Sequence, residues 1–445
     1  MSTDTESESG RFGLGKTGTD LALMIGMMLA LYVVFAGVGM VLGFPLFGIV
    51  NLVRELTFFV AVYAIVALAL NLHWGYAGLF NIGVAGFMAV GAYALGLLSG
   101  SPAGSPPGLG LPLFLGVPLG MGVAALVGLV AALPALRLKA DYLAIVTIAL
   151  AEIIRLTFVS RAFEDITGGA AGFGNFPANP ANTLLLTDPS SLASDPTAVG
   201  GVVFGLFESI GIASPKVAID STYAVMLLLV VALVYVFLRR LGNSPFGRVL
   251  KAIREDELVA QSLGKDTNRF KIKVFMVGCA LMGLGGMLWQ ALGTGSVNPT
   301  NNFLPQITFY IFIAVIIGGA GSNTGSVLGA GLFAGVLFLL PSYVDNLVNS
   351  LNLLQNTTTP QTFIDAVAPV ASLELAPFFA YALGNIDQLR FVLIGVLLVW
   401  LMQNRPDGLL GHRQEPAASV DLMRRTSGSK PPRGEPAADG GESDE

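Results

Sequence analysis

One cysteine, Cys279, and two histidines, His73 and His412, are all the thiols and imidazoles in this 445-residue sequence. A lone cysteine forms no internal disulfide, and it says nothing about redox compartment. Two histidines more than three hundred positions apart make no metal-ligand cluster, which argues against a catalytic zinc site. Charge is equally scarce. Only 12% of residues are charged and 53% are hydrophobic, where a soluble globular chain carries about 25% charged residues. Mean hydropathy is +0.71. No basic stretch followed by a short apolar run opens the chain, so nothing resembles a cleavable secretory leader. The net charge of −5 is modest and gathers in the tails, which leaves no electrostatic footprint for a nucleic acid. These absences exclude metal-dependent, disulfide-stabilised and nucleic-acid-binding classes. They predict no cofactor and no catalytic residue. The apolar excess predicts a chain whose solvent is the lipid bilayer.

Apolar runs near the bilayer-spanning length fall at 21–42, 56–72, 76–98, 112–136, 142–159, 223–238, 274–292, 303–318, 325–340 and 389–402. The expected fold is therefore an all-α polytopic membrane protein, a bundle of about ten transmembrane helices. Length alone would suggest about three soluble domains, but the spans form one membrane unit. The expected organisation is a disordered tail at 1–20, a membrane domain at 21–412 and a second disordered tail at 413–445. Lysine and arginine set the orientation. The loop 239–273 carries Arg239, Arg240, Arg248, Lys251, Arg254, Lys265, Arg269, Lys271 and Lys273, whereas no basic residue lies between Lys273 and Arg390. That loop is expected to be cytoplasmic. Counting spans in both directions puts Arg137, Lys139, Arg405 and both termini on the same side. Two long polar segments, 161–221 and 341–388, then fall outside. They are natural contacts for an external protein or loosely ordered filler, and Asn356-Thr357-Thr358 within the second is a glycosylation triplet.

One motif is a decoy. Gly10, Gly15, Lys16 and Thr17 fit the phosphate-binding spacing G-x-x-x-x-G-K-[ST]. The motif needs a buried strand before it and a soluble helix after it. Here an acidic polar run precedes it and an apolar span follows, so it is read as tail.

The segment 244–273 is the longest charged run between spans, and it has helical periodicity. Val249, Ala252, Ile253, Val259, Ala260 and Leu263 share one face at i, i+3, i+4 spacing, with Asp256 the single polar residue on the stripe. Lys251, Arg254, Glu255, Glu257 and Gln261 fall largely on the other side. Pro245 and Gly247 open the segment, and Gly264 closes it as a helix C-terminal glycine does. The expectation is one short amphipathic helix, lying on lipid or docked into a partner. Its mixed charge favours a partner.

Two further stretches are dense in small residues. In 76–98 the only strongly polar side chain is Asn81, and 316–331 reads IIGGAGSNTGSVLGAG. Glycine at such density allows close helix packing, or a broken or re-entrant element that offers backbone to a substrate. In 136–158, Glu152 and Arg155 stand one turn apart inside an apolar stretch. A lone charge there costs about 2.5–3.5 kcal/mol on insertion scales, and pairing at i, i+3 reduces that. Such a pair either lines a path or fixes the helix's rotation.

These segments carry a resemblance. Ser244 to Arg248, Leu250, Ala252 to Glu257, Ala260, Leu263 and Gly264 match the pattern S-P-F-G-R-x-L-x-A-I-R-E-[DN]-E-x-x-A-x-x-L-G. Gly75, Tyr76, Ala77, Gly78, Gly83, Phe87, Gly91, Ala92 and Tyr93 match a second pattern, and Gly318, Gly319, Gly321, Ser322 and Gly325 a third. Positions that are often polar or histidine after the first glycine motif are Ile82 and Val84 here. Thr167-Gly168-Gly169 and the closing Arg405-Pro406-Asp407-Gly408-Leu409-Leu410 fit as well. Together they resemble the permeases of branched-chain amino acid ABC importers over roughly residues 56–410. The resemblance implies a cell-membrane transport subunit without an ATPase of its own. It would work with two ATP-binding subunits, a second related permease and an extracytoplasmic substrate-binding protein. It would move branched-chain amino acids, or related amino acids, amides or urea, into the cytoplasm. The segment 239–273 becomes the cytoplasmic coupling loop. Arg254, Glu255, Asp256, Glu257, Ala260, Leu263 and Gly264 are its expected ATPase contacts. Gly78, Asn81, Gly83, Glu152, Arg155, Thr167, Gly168, Gly169, Gly318, Gly319, Gly321 and Ser322 are expected along the translocation path or in the bundle core. The alternative is an ion-coupled secondary transporter, which would need intramembrane carboxylates or broken helices for the coupling ion. Glu152 is the one clear carboxylate well inside a span, and Arg155 is placed to neutralise it.

Overall fold

The structure is a computed structural model that describes residues 16–136, 140–341, 343, 360–372 and 374–410. Arg137, Lys139, most of the phosphate-loop-like motif, the Asn356 triplet, His412, residues 1–15 and the expected tail 413–445 lie outside the described residues, while 16–20 of the expected first tail are helical, as the start of the first helix. The principal helices are α1 (Lys16–Val41), α2 (Leu46–Asn71), α3 (Val84–Ser99), α4 (Leu113–Ala135), α5 (Ala140–Val159), α6 (Pro215–Asn243), α7 (Pro245–Glu255), α8 (Glu257–Ser262), α9 (Thr267–Gly286), α10 (Pro305–Gly318), α11 (Asn323–Ala334) and α12 (Ile386–Asn404). Among the described residues the only extended pairings are two isolated bridges, Phe173 with Val297 and Leu186 with Pro196. Six helices there are long and apolar enough to cross a membrane, and several shorter apolar helices accompany them. The chain is a multi-pass membrane protein.

The bundle is built in two shells, and sequence composition explains the division. α2 is apolar on every side, and each residue from Val60 to His73 is buried, the pattern of a helix enclosed by others. Around it stand α6, α9, α10 and α11. α1, α4, α5, α6 and α12 turn large apolar side chains such as Val34, Phe114, Val130, Ile153, Leu233 and Val396 outward. Between helices in lipid there is no hydrophobic drive, so contact depends on close backbone approach. α4 meets it with a buried stripe of small residues, Gly116, Gly120, Ala124, Gly128, Ala131, Ala132 and Ala135. Where α3 crosses α9, a Cβ on Gly91 would lie 2.3 Å from the Gly283 carbonyl oxygen. Most of the glycine enrichment in the first small-residue stretch is therefore packing.

Several boundaries differ from the periodicity reading. The expected span 76–98 is helical only from Val84. The chain runs from α2 through a π-helical turn, Leu72–Tyr76, and then crosses residues 78–83 without helix. α9 likewise ends in a π-helical segment, Met287–Thr294, and α11 in another, Gly335–Leu339. The segment 161–221 holds short helices. Asn179 caps the helix Pro180–Leu185, Thr197 caps the apolar helix Ala198–Ser209, and α6 begins at Pro215, eight residues before the expected span.

Candidate functional site at the charged end of the bundle

The coupling segment is not one helix. α7 ends at Glu255, Asp256 adopts extended backbone (φ −155°, ψ 109°), and α8 starts at Glu257. The Asp256 carboxylate accepts from the Leu258 and Val259 amides at 2.9 and 3.1 Å. It is an N-cap, which explains the polar residue interrupting the apolar stripe. The break redistributes the stripe. Leu250, Ile253 and Ala260 are buried, while Ala252, Val259 and Leu263 face out together with Leu258. Leu258 and Leu263 are each 74% exposed. Gly264 takes a left-handed φ of +75° and closes α8 with its amide on the Gln261 carbonyl at 2.8 Å. Glu255 and Asp256 are exposed.

Arg254 and Glu257 turn inward, contrary to their expected place on the docking face. Lys271 of α9 lies 2.6 Å from the Glu257 carboxylate, and the Thr267 hydroxyl donates to it at 3.0 Å. This fastens α8 to α9. The Arg254 guanidinium donates to the Gly75 carbonyl and to Glu255. Its stem lies against Gly78, where an added Cβ would come 3.2 Å from the Arg254 Cγ. Gly78 has φ +68°, so glycine answers both the turn and the approach. Beside Arg254, the buried Lys251 ammonium sits 5.2 Å over the Tyr76 ring, a cation–π distance.

Beneath this segment lies a buried polar cluster. The Asn71 side chain donates to Asn323 at 3.0 Å and accepts from the Gly321 amide at 2.7 Å. Asn323 donates to the Tyr76 hydroxyl at 2.9 Å. The hydroxyls of Tyr235 and Thr324 share a hydrogen bond of 2.9 Å. The turn between α2 and α3 is thereby joined to the turn between α10 and α11, where Gly319 and Gly321 have φ of +101° and +93°. Ser322 caps α11 through the Gly325 amide at 3.0 Å, and Gly318 packs on Gly325. The closing motif lies here too. The Leu409 and Leu410 amides donate to the Ile317 and Gly318 carbonyls at 2.9 and 3.1 Å.

A second buried cluster orders the residues just beyond the α2 turn. Asn81 donates to His73 Nδ1 at 3.2 Å, and His73 Nε2 is 3.0 Å from the Phe275 carbonyl. The ring therefore carries its proton on Nε2. The Asn81 carbonyl accepts from the Gly83 amide at 2.8 Å, and the Ile82 amide donates to Thr147 of α5 at 2.9 Å.

Glu152, Arg155 and the Thr167 motif belong to the opposite end. Both Glu152 carboxylate oxygens are taken by Arg155, at 2.5 and 2.8 Å, and Arg155 also donates to the Pro299 carbonyl at 3.1 Å. Thr167 donates to the Phe158 and Phe163 carbonyls at 2.9 Å, while Gly168 and Gly169 take φ of +75° and +55° in the turn that leads to the Phe173–Val297 bridge. The expected path residues thus divide between two ends of the bundle. Asn71, Tyr235, Asn323 and Thr324 escaped the sequence reading, because each is a single polar residue whose partner lies far along the chain.

Comparison with known proteins follows the same segments. A family model described as branched-chain amino acid transport system, permease component, matches residues 51–354. The high-affinity branched-chain amino acid transport system permease protein LivM of Escherichia coli K12 is 33% identical over 269 residues, 60% of this chain and 59% of the relative. The matched region therefore spans little more than half of that relative's length. The probable branched-chain amino acid transport permease protein LivM of Methanocaldococcus jannaschii is 27% identical over 390 residues, 81% of this chain and 94% of the relative. The LivH permease protein of E. coli K12 is 35% identical over 101 residues, 22% of this chain and 31% of the relative. No solved structure matches. With the family's pattern covering most of the membrane domain, the chain belongs to the permease-component family of branched-chain amino acid transport systems.

Proposed function

We propose that this chain is the membrane-spanning permease subunit of an ATP-driven, binding-protein-dependent importer that carries branched-chain amino acids into the cytoplasm. Both termini and the 239–273 loop face the cytoplasm in this reading. A second related permease completes the pore, two ATP-binding subunits dock beneath, and an extracytoplasmic binding protein delivers substrate to the opposite end. The observation that carries it is the construction of α7 and α8. Leu258, Val259 and Leu263 are held outward on a helix that Asp256 caps and Lys271 fastens. Three large apolar side chains on the watery end of a membrane protein call for a cover, and a groove on a partner supplies one. Behind that face, Arg254 and Lys251 reach the glycine turns at Gly75, Tyr76 and Gly321 through Asn323 and Asn71. Movement imposed on α8 is transmitted to those turns, which open as discontinuous elements at the inner mouth.

One route to the ion-coupled alternative is a carboxylate open to a cation. Glu152 gives both oxygens to Arg155, which argues against that role. Co-reconstitution of this chain with its ATP-binding subunits, second permease and binding protein in proteoliposomes tests the reading. ATP-dependent leucine uptake is expected. Uptake by the chain alone, driven by an ion gradient without ATP, would overturn it.

A further inference from the structure

At the end of the bundle opposite the coupling segment, two adjoining cavities of about 310 and 290 Å³ share Asn179, Lys216, Asp220, Gly293 and Thr294. The cleft lies between α2, the start of α6 and the π-helical end of α9. Arg54 and Asp220 form an ion pair, and the Lys216 ammonium is 3.2 Å from the same carboxylate. Arg54 Nε is buried without an acceptor among the described residues. Exposed Glu55 lines the same cavity, and Phe58 and Tyr223 give it an apolar wall.

Depth places the cleft at the rim of the bilayer. From Arg54 to Tyr76 α2 and its π turn rise about 33 Å at ~1.5 Å per residue, and from Asp220 to Asn243 α6 rises about as far. A hydrocarbon core of about 30 Å leaves Arg54, Glu55, Lys216 and Asp220 just beyond it, where water reaches them.

The cleft holds two cations and two carboxylates. A purely anionic or cationic ligand would meet only one sign of this mixed set. A ligand that carries both signs a few ångströms apart exchanges pair for pair. Lys216, 70% exposed in its side chain, is free to swing from Asp220 to a carboxylate. Glu55 is free to take an ammonium. Phe58 and Tyr223 then receive an aliphatic side chain.

We propose that this cleft is a binding site for a free zwitterionic amino acid with an aliphatic side chain, a reception site at the mouth of the permease. The inference rests on the importer reading above, which supplies such a ligand. The same paired chemistry would suit an ethanolamine lipid headgroup, and the test separates the two.

The experiment uses the full chain in phosphatidylcholine nanodiscs with radiolabelled L-leucine. Saturable binding near one leucine per chain is expected. Leucinamide, which lacks the anion, and 4-methylpentanoate, which lacks the cation, should compete at least tenfold more weakly than leucine. Lys216→Gln and Glu55→Gln, both at exposed positions, should each weaken binding at least fivefold without changing the melting temperature. Absence of saturable binding, equal competition by the single-charge analogues, or unchanged affinity in both variants would overturn the site. Full displacement of leucine by phosphatidylethanolamine in the disc would assign the cleft to lipid and also overturn it. Parallel uptake by the reconstituted complex distinguishes the two claims. ATP-driven uptake with no leucine bound to the cleft leaves the importer reading standing and removes this one. Leucine bound in the cleft without ATP-driven uptake does the reverse.

Discussion

The guanidinium of Arg254 donates to the carbonyl of Gly75, 179 residues earlier in the chain. The contact joins the charged segment between α6 and α9 to the turn that ends α2. Its neighbour Lys251 covers Tyr76 of the same turn. The side of α7 that faces the bundle therefore reads backbone carbonyl and aromatic ring, while α8 presents aliphatic side chains to the outside.

Arg254→Ala removes this link and leaves α8 with its own cap and its bond to α9. A hydrogen bond to a charged group contributes about 1.5–3 kcal/mol. The expected result in the reconstituted complex is normal recovery of ATP-binding subunits with uptake per ATP lowered about tenfold or more. An unchanged ratio would remove Arg254 from the transmission.

Leu258→Glu combined with Leu263→Glu places carboxylates on the outward face of α8. Both positions are exposed, so melting of the chain alone should shift little, within about 0.5 kcal/mol. Affinity purification should recover the permease without ATP-binding subunits. Their retention would show that docking uses another surface.

Glu152→Ala leaves the Arg155 guanidinium, 15% exposed in its side chain, with the Pro299 carbonyl as its one acceptor among the described residues. Breaking a desolvated pair by removing one partner costs up to about 3–5 kcal/mol, reduced here because Glu152 is 35% exposed. Lower folded yield is expected. Glu152→Leu with Arg155→Leu should restore yield. Restored transport in the double variant would make the pair a packing element, and lost transport would place it on the substrate's route.

Gly91→Val tests the closeness of α3 and α9. Its Cβ would fall 2.3 Å from the Gly283 carbonyl oxygen and 2.4 Å from the Gly283 Cα, backbone that no side-chain rotation relieves. Overpacking of this kind costs at least about 1–3 kcal/mol, read as a lowered melting temperature in detergent. A wild-type melting curve would contradict the close crossing.

The apolar stretches were legible because bilayer thickness imposes a length that composition records. The coupling segment was legible because its charge and periodicity differ from everything around it. Its break was half visible. Asp256 stood out as the polar residue on an apolar stripe, yet periodicity alone runs through an N-cap that is followed by a second helix in nearly the same phase. The polar cluster was not legible. Asn71 and Asn323 lie 252 positions apart, and nothing local distinguishes a satisfied buried asparagine from an exposed one. Glycine was ambiguous for a similar reason. Gly91 and Gly78 look alike in sequence, and only one of them has a left-handed backbone.

The two amides of Leu409 and Leu410 occupy the Ile317 and Gly318 carbonyls, the orphan acceptors that every helix leaves at its C-terminal end. The chain from α10 through α12 is thus closed upon itself like a clasp, with the Gly319–Ser322 turn inside the fastening. Gly408 seals it, since an added Cβ would stand 2.6 Å from the Gly319 Cα. Any force that draws α12 sideways must first unfasten two backbone bonds beside the turn, and any segment attached after Leu410 pulls directly on that knot.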